Sequence, residues 1–323
     1  MVARNTNEYV LGIDLGGTTV SVAAVTPDRK IVETLEELLH AELGPRKGIQ
    51  KITSMMKNIM DARGGSARAF GIGASGPVIP EKGIIDNPYT LPGWQKVSII
   101  KVIEKELGIP GCLENDADMF ALGEYWAGEL IKPESLFALT FGTGVGASFI
   151  QHGTIFRGMG GIHPEAGHMV VDFRSQVPCY CGATGCLESL ASGPAIGRQA
   201  QNMAEHCGGM MMDLAGGCVD KIDTRILATA ARKGDTTAIS VINNVATYMG
   251  IGILNAMQFF LPETVVVGGG VMHDFDLYEP EIRKIIEKAN VMIPTLKVKL
   301  RKSKPGRKSA MLGAAYTALE RLK

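Results

Sequence analysis

One pattern constrains this chain more than any other. An apolar strand ends in glycines and turns back into a second strand, and this happens twice. Residues 9–25, YVLGIDLGGTTVSVAAV, have that form, and so do residues 135–150, SLFALTFGTGVGASFI. Short apolar runs bounded by glycine read as buried strands joined by tight turns. After the first hairpin come a strand near 30–37 and a helix from Pro45 to Asp61, with Ile49, Ile52, Met55, Met56 and Ile59 at helical spacing. A strand within 67–78, a helix over 97–110 closed by Gly108 and Pro110, and a short strand at 111–116 follow. After the second hairpin, ETVVVGGGV (263–271) supplies another strand that ends in glycines. Two like halves predict an α/β fold made of a duplicated unit around a central cleft.

The chain has 323 residues, more than one core usually supports, so two domains are expected. No Pro- or Ser-rich linker divides them. The expected boundary puts residues 1–118 in the first domain and 119–308 in the second, with a hinge near 117–122. The closing helix, 309–323, is expected to pack back on the first domain. Lys plus Arg is 33 and Asp plus Glu is 33, and this neutral balance gives no support to a nucleic-acid or anionic-membrane partner. The longest apolar stretch, residues 245–262, holds Asn255 and Gln258 and stops at Pro262, so it reads as a buried helix. No signal-peptide core opens the chain, and a cytoplasmic protein is expected.

Reduced thiols are then expected, and three of them cluster. In GHMVVDFRSQVPCYCGATGCLE (167–188), Cys179, Cys181 and Cys186 lie within eight residues, and His168 precedes the first by eleven. Three sulfurs and one imidazole make a complete set for tetrahedral zinc. Four protein ligands leave no open position, so the metal would be structural. Gly182 and Gly185 permit the turns that aim the sulfurs inward. Metal ligation through one imidazole nitrogen leaves the other free to hydrogen-bond outward.

Three glycine turns offer anion-binding backbone. In Asp14-Leu15-Gly16-Gly17-Thr18-Thr19, glycines let successive amides converge on an anion, the threonines add hydroxyls, and Asp14 can hold magnesium. Gly142-Thr143-Gly144 forms the second turn. Gly268-Gly269-Gly270 forms the third, where a planar ligand can lie on bare backbone. None matches the Walker pattern or the dinucleotide GxGxxG, and each alone is equally a hairpin needing glycine for its geometry.

Together these segments carry a resemblance. DLGGTT, GASG, LPGW, ENDAD, FGTGVG, HPEAGH, CYCGATGCLE and VVVGGGV stand in the order and spacing of the ROK family (repressor, open reading frame, kinase) over nearly the whole chain. The resemblance implies a two-domain fold of the actin, Hsp70 and hexokinase type, built on ribonuclease-H-like units. It also implies ATP- and magnesium-dependent phosphorylation of a hexose, at the 6-hydroxyl, by a homodimer. By the same resemblance Asp116 is the catalytic base and Asn115 a sugar contact. Ser75 and Gly76 lie in a loop beside the sugar, and Glu165, His168 and Glu188 hold sugar hydroxyls. The three glycine turns would hold ATP, and the zinc would fix the Glu165–His168–Glu188 wall.

The chain departs from the family where the sugar is expected. Asp118 stands where asparagine is frequent, Thr90 precedes LPGW where asparagine is frequent, with Asn87 a candidate substitute, and Ser75 replaces a proline. His163-Pro164-Glu165 is commoner in fructokinase-like members, whereas the full cysteine set is glucokinase-like. Glucose leads, and fructose, mannose and N-acetylhexosamines compete. A repressor would carry a helix-turn-helix ahead of the first glycine turn, which begins here at Asp14, and a sugar sensor would tolerate loss of Asp116.

Overall fold

Both glycine-ended hairpins form. The structure, a computed structural model, describes residues 8–65, 67–129, 131–289, 294 and 297–323. Its contacts divide into two units. The first holds residues up to Lys132 with 153–155 and 304–323, and the second holds 133–152 and 156–303.

In the first unit, β1 (Val10–Leu15), β2 (Thr19–Val25), β3 (Ile31–Leu38), β4 (Phe70–Ala74) and β8 (Gly111–Asn115) make one sheet in the order β3–β2–β1–β4–β8. The β1–β2 hairpin pairs Val10 with Val25 through Leu15 with Val20, and β4 and β8 run parallel to β1. β5 (Val78–Ile79), β6 (Ile84–Asn87) and β7 (Trp94–Val97) form a small separate sheet. Helices α1 (Pro45–Ala62) and α2 (Ile99–Leu107) bury Ile52, Met56 and Ile103 with Leu11, Ile13, Phe70 and Ile72 of the main sheet. Val10 and Ala23 of the sheet, with Ala69 just before β4, pack with Trp126 of α3 (Asp116–Ala127) and with Met311 and Ala315 of α10 (Ser309–Glu320). A β-carbon on Gly123 would stand 1.9 Å from the Ser309 carbonyl oxygen, and one on Gly313 1.8 Å from that of Met119. The two helices therefore touch backbone to backbone. The expected boundary at residue 118 lies in the first turn of α3. That helix stays with the first unit because its glycine face is locked to α10.

In the second unit, β9 (Ser135–Phe141) and β10 (Val145–Gln151) form the second hairpin; the two-residue strand β11 (Thr154–Ile155), next in the chain, is grouped with the first unit. β12 (Thr264–Gly268) pairs parallel with β9, and β13 (Lys299–Lys302) pairs parallel with β12. Hairpin, parallel neighbour and next parallel neighbour repeat the order of the first unit, so the duplication read from the sequence is present in the topology. Helices α4 (Leu187–Ala191), α5 (Gly193–Cys207), α6 (Met210–Leu214), α7 (Thr224–Arg232), α8 (Thr236–Phe260) and α9 (Phe275–Lys288) complete it. The apolar stretch at 245–262 is the second half of α8, whose Val245, Met249, Ile253 and Met257 are fully buried in the unit's core. Asp235 caps α8 by accepting from the Ala238 amide at 2.8 Å, and Leu261 ends it in a left-handed conformation before Pro262. Among the described residues α8 is the one helix long and apolar enough to cross a membrane, and half of that stretch is buried.

Candidate functional site

In the first unit the expected residues gather at the carboxyl ends of β1, β4 and β8, where parallel strands of α/β sheets present ligand-binding loops. The Gly16 amide donates to the Thr19 carbonyl at 3.0 Å and closes the first turn, leaving Thr18 and Thr19 exposed. The Ser75 amide donates to the Leu15 carbonyl at 3.2 Å, tying the loop after β4 to the end of β1. Gly76 leaves room for Asn115, whose Nδ2 would be 2.9 Å from a β-carbon there.

Asp116 is the first residue of α3. Its Oδ2 accepts from Ser75 Oγ at 3.0 Å and its Oδ1 from the Ala117 amide at 2.8 Å. Asn115 is the N-cap, accepting from the same amide at 2.7 Å. Cap geometry alone would explain Asn115, a substitution worth about 1 kcal/mol. It does not explain the serine that holds the far oxygen of Asp116. Asp14 is partly buried, and its carboxyl is raised to about 7, first by burial and then by the facing Asp116 and Glu36 carboxylates. Glu36 is a residue the sequence did not point to. It enters through the register, because Asp14 pairs with Ser21 and Ser21 with Glu36 across three strands. Ser21 Oγ also donates to Glu36 Oε2 at 3.3 Å. Carboxylates beside a turn of converging amides suit a hard cation such as magnesium, which Asp14 could hold.

Asn87 corrects an expectation. It is fully buried, and its amide donates to the Ser75 carbonyl at 3.0 Å and to Thr90 Oγ1 at 2.7 Å. Its Oδ1 accepts from the Tyr89 and Thr90 amides at 2.8 and 3.0 Å. All its bonding capacity is spent inside the loop, so it braces Ser75 and Thr90 and does not stand in for a sugar contact. Asp118 is also fully buried, within α3.

In the second unit the other two glycine turns lie at the ends of adjacent parallel strands, with Gly268 opposite Thr140. The Gly142 amide donates to the Gly144 carbonyl at 2.9 Å, and the Gly142 carbonyl accepts from the Gly193 amide at 2.8 Å. Gly269, at φ +89°, packs so closely on Phe141 that a β-carbon would fall 2.3 Å from its carbonyl oxygen. The two turns and the start of α5 thus converge. A cavity of about 410 Å³ runs along the first turns of α5, lined by Gly193, Pro194, Gly197, Arg198, Asp220 and Asp223 among others. No periodicity or motif in the sequence marked it.

The cysteine cluster assembles. One ligand atom from each of His168, Cys179, Cys181 and Cys186 lies within 4.8 Å of the others. Cys181 Sγ is 3.7 Å from Cys186 Sγ, and Cys179 Sγ is 3.4 Å from His168 Nδ1. A zinc tetrahedron with Zn–S near 2.3 Å and Zn–N near 2.0 Å has edges of about 3.8 Å (S–S) and about 3.5 Å (S–N). The four residues therefore fit the ion. Gly182 and Gly185 supply the positive φ angles, +95° and +70°, that bend the loop. Burial pushes the Cys186 thiol up to about 12, whereas the Ala183 amide leads the contacts that lower Cys181.

With Nδ1 turned to the sulfurs, the other nitrogen of His168 faces away from the cluster. Glu165 lies on the turn before it, Oε1 3.5 Å from His163 Nε2. Glu188 does more than the sequence indicated. Its Oε2 accepts from the Val145 amide at 2.8 Å, so the carboxylate also fixes the exit of the second glycine turn. Tyr180, between two ligands, sets its ring edge-on to His168 at 5.0 Å. Its hydroxyl is raised to about 12, first by burial and then by the facing Glu188.

The ROK family profile matches residues 10–321. The chain is 33% identical to a glucokinase of Thermotoga maritima over 279 residues, covering 86% of this chain and 87% of that one. It is 29% identical to a xylose repressor of Caldicellulosiruptor bescii, covering 94% of this chain and 76% of the repressor. Among solved structures it is similar to a ROK glucokinase from Streptomyces griseus in complex with glucose and AMPPNP, with TM-score 0.81, 27% identity, and coverage of 97% of this chain and 99% of that one. A family profile that spans nearly the whole chain makes it a member of the ROK family.

Proposed function

We propose that this protein is an ATP-dependent hexose kinase of the cytoplasm that transfers the γ-phosphoryl group to the 6-hydroxyl of glucose. Asp116 is the base. The Ser75 hydroxyl and the Ala117 amide hold its two oxygens, and that held carboxylate is the observation that carries the reading. A carboxylate in place accepts the proton of the attacking hydroxyl as the bond to phosphorus forms. Gly16, Gly17, Thr18, Thr19, Gly142, Thr143, Gly144 and Gly268 to Gly270 are the candidates to supply amides and hydroxyls for the phosphates. The cavity beside α5 suits the nucleoside. Asp14 would hold magnesium, which when bound neutralises phosphate charge. Asn115, Ser75, Gly76, Glu165, His168 and Glu188 orient the sugar. His168, Cys179, Cys181 and Cys186 would hold a structural zinc that keeps His168 and its neighbours in place.

Incubation with ATP, magnesium and a hexose panel, read by phosphorus NMR, tests this. Glucose 6-phosphate as the main product is the expected result. A phosphorylated fructose, mannose or N-acetylhexosamine would move the substrate but keep the reaction. The xylose-repressor relative favours sugar sensing as a second reading; sugar binding without any phosphorylated product would support it. The family likeness also favours a homodimer, to be weighed by sedimentation.

A further inference from the structure

Tyr180 is 81% exposed, yet it is not a loose surface residue. Its backbone runs between Cys179 and Cys181, whose sulfurs gather with that of Cys186 and with a ring nitrogen of His168, so a metal held there would pin it on both sides. Its ring stands at 90° to the His168 ring with centroids 5.0 Å apart, and Glu188 is near enough to act on its hydroxyl. An exposed aromatic ring is thus held against His168 and beside Glu188, two of the three residues assigned to sugar hydroxyls. Ligand subsites combine a few aimed polar groups with an aromatic wall, and here the polar groups had been identified without the wall.

Aromatic faces take apolar C–H surfaces. A hexopyranose with all its ring hydroxyls equatorial offers axial C–H bonds on each ring face, whereas an axial hydroxyl interrupts a face. We propose that Tyr180 is a specificity-determining residue of the sugar subsite. Its ring packs on the C–H face of the hexose and favours the all-equatorial pyranose over epimers with an axial hydroxyl. This deepens the assignment of Glu165, His168 and Glu188 to the sugar and rests on it.

The test uses the zinc-loaded full chain and the variants Tyr180→Ala, Tyr180→Phe and Glu165→Gln. Glucose affinity is read by calorimetry, kcat/KM is compared for glucose, mannose and allose, and metal content is measured directly. Tyr180→Ala is expected to weaken glucose binding and raise its KM about ten-fold, with kcat changed by no more than about three-fold. Its preference for glucose over the epimers should shrink by a similar factor, with zinc content and the KM for ATP unchanged. Tyr180→Phe keeps the ring and should stay near wild type. Unchanged glucose affinity and unchanged epimer ratio in Tyr180→Ala overturn the inference. Glu165→Gln then separates the causes: if it loses glucose affinity, the sugar wall stands without Tyr180, and if it too is unaffected, the wall itself falls.

Discussion

Asp14 is a residue whose charged form its surroundings disfavour. Its folded pKa is raised from 3.8 to about 7, mainly by burial, with Asp116 and Glu36 adding repulsion. For a raised pKa the favourable contribution is complete below the unfolded value and is lost as pH rises through the folded one. Apo protein should therefore lose stability between about pH 4 and about pH 7 on this account. Asp14→Asn should raise the stability of the apo protein at pH 8 by about 2 kcal/mol, discounted for partial exposure and seen as a higher melting temperature, and by little at pH 4. The same variant should bind magnesium–ATP more weakly. Calorimetric melts at both pH values check the sign, and a variant less stable than wild type at pH 8 would contradict it. Ser75 illustrates a different lesson. Its departure from the usual proline reads as a defect in the sequence, but the hydroxyl it brings is the group that holds Asp116.

At the scale of elements, the cysteine loop and the α3–α10 pair set the framework. The loop was legible because soft ligands at close spacing have few other uses. Removing a zinc ion bound there should loosen the turn that carries His168 and Glu165. Cys181→Ser is expected to lose zinc by elemental analysis and to lower sugar affinity about ten-fold or more, with the KM for ATP less affected. Full sugar affinity in zinc-free protein would count against zinc as the brace of the sugar wall. The α3–α10 contact left no such mark, since Gly123 and Gly313 read as ordinary helix glycines until their closeness to Ser309 and Met119 is seen. Gly313→Ala should cost about 3 kcal/mol by forcing backbones apart, visible as a lower denaturant midpoint. Glu188 was read as a sugar ligand, but its bond to the Val145 amide has no signature in sequence, because a backbone donor can belong to any residue.

At the scale of the whole chain, the duplicated hairpin was the legible part. Glycines must end strands where backbone approaches a ligand or another strand, and they punctuate both halves at the same topological position. The division between units was less legible. No linker composition marks it, and the contacts that assign α3 to the first unit lie some 190 residues away in sequence, in α10. The cavity beside α5 and the carboxylate Glu36 were hidden for the same reason: helix packing and strand register create them. The account as a whole stands on phosphoryl transfer at Asp116. The most direct test is sugar-dependent ADP release from ATP and magnesium, wild type beside Asp116→Asn, with sugar affinity measured on both. The account predicts turnover with a preferred hexose in wild type, and a folded variant that binds that hexose but has lost activity by a factor on the order of a thousand or more. Sugar-independent ATP hydrolysis, or a variant with activity near wild type, would contradict it.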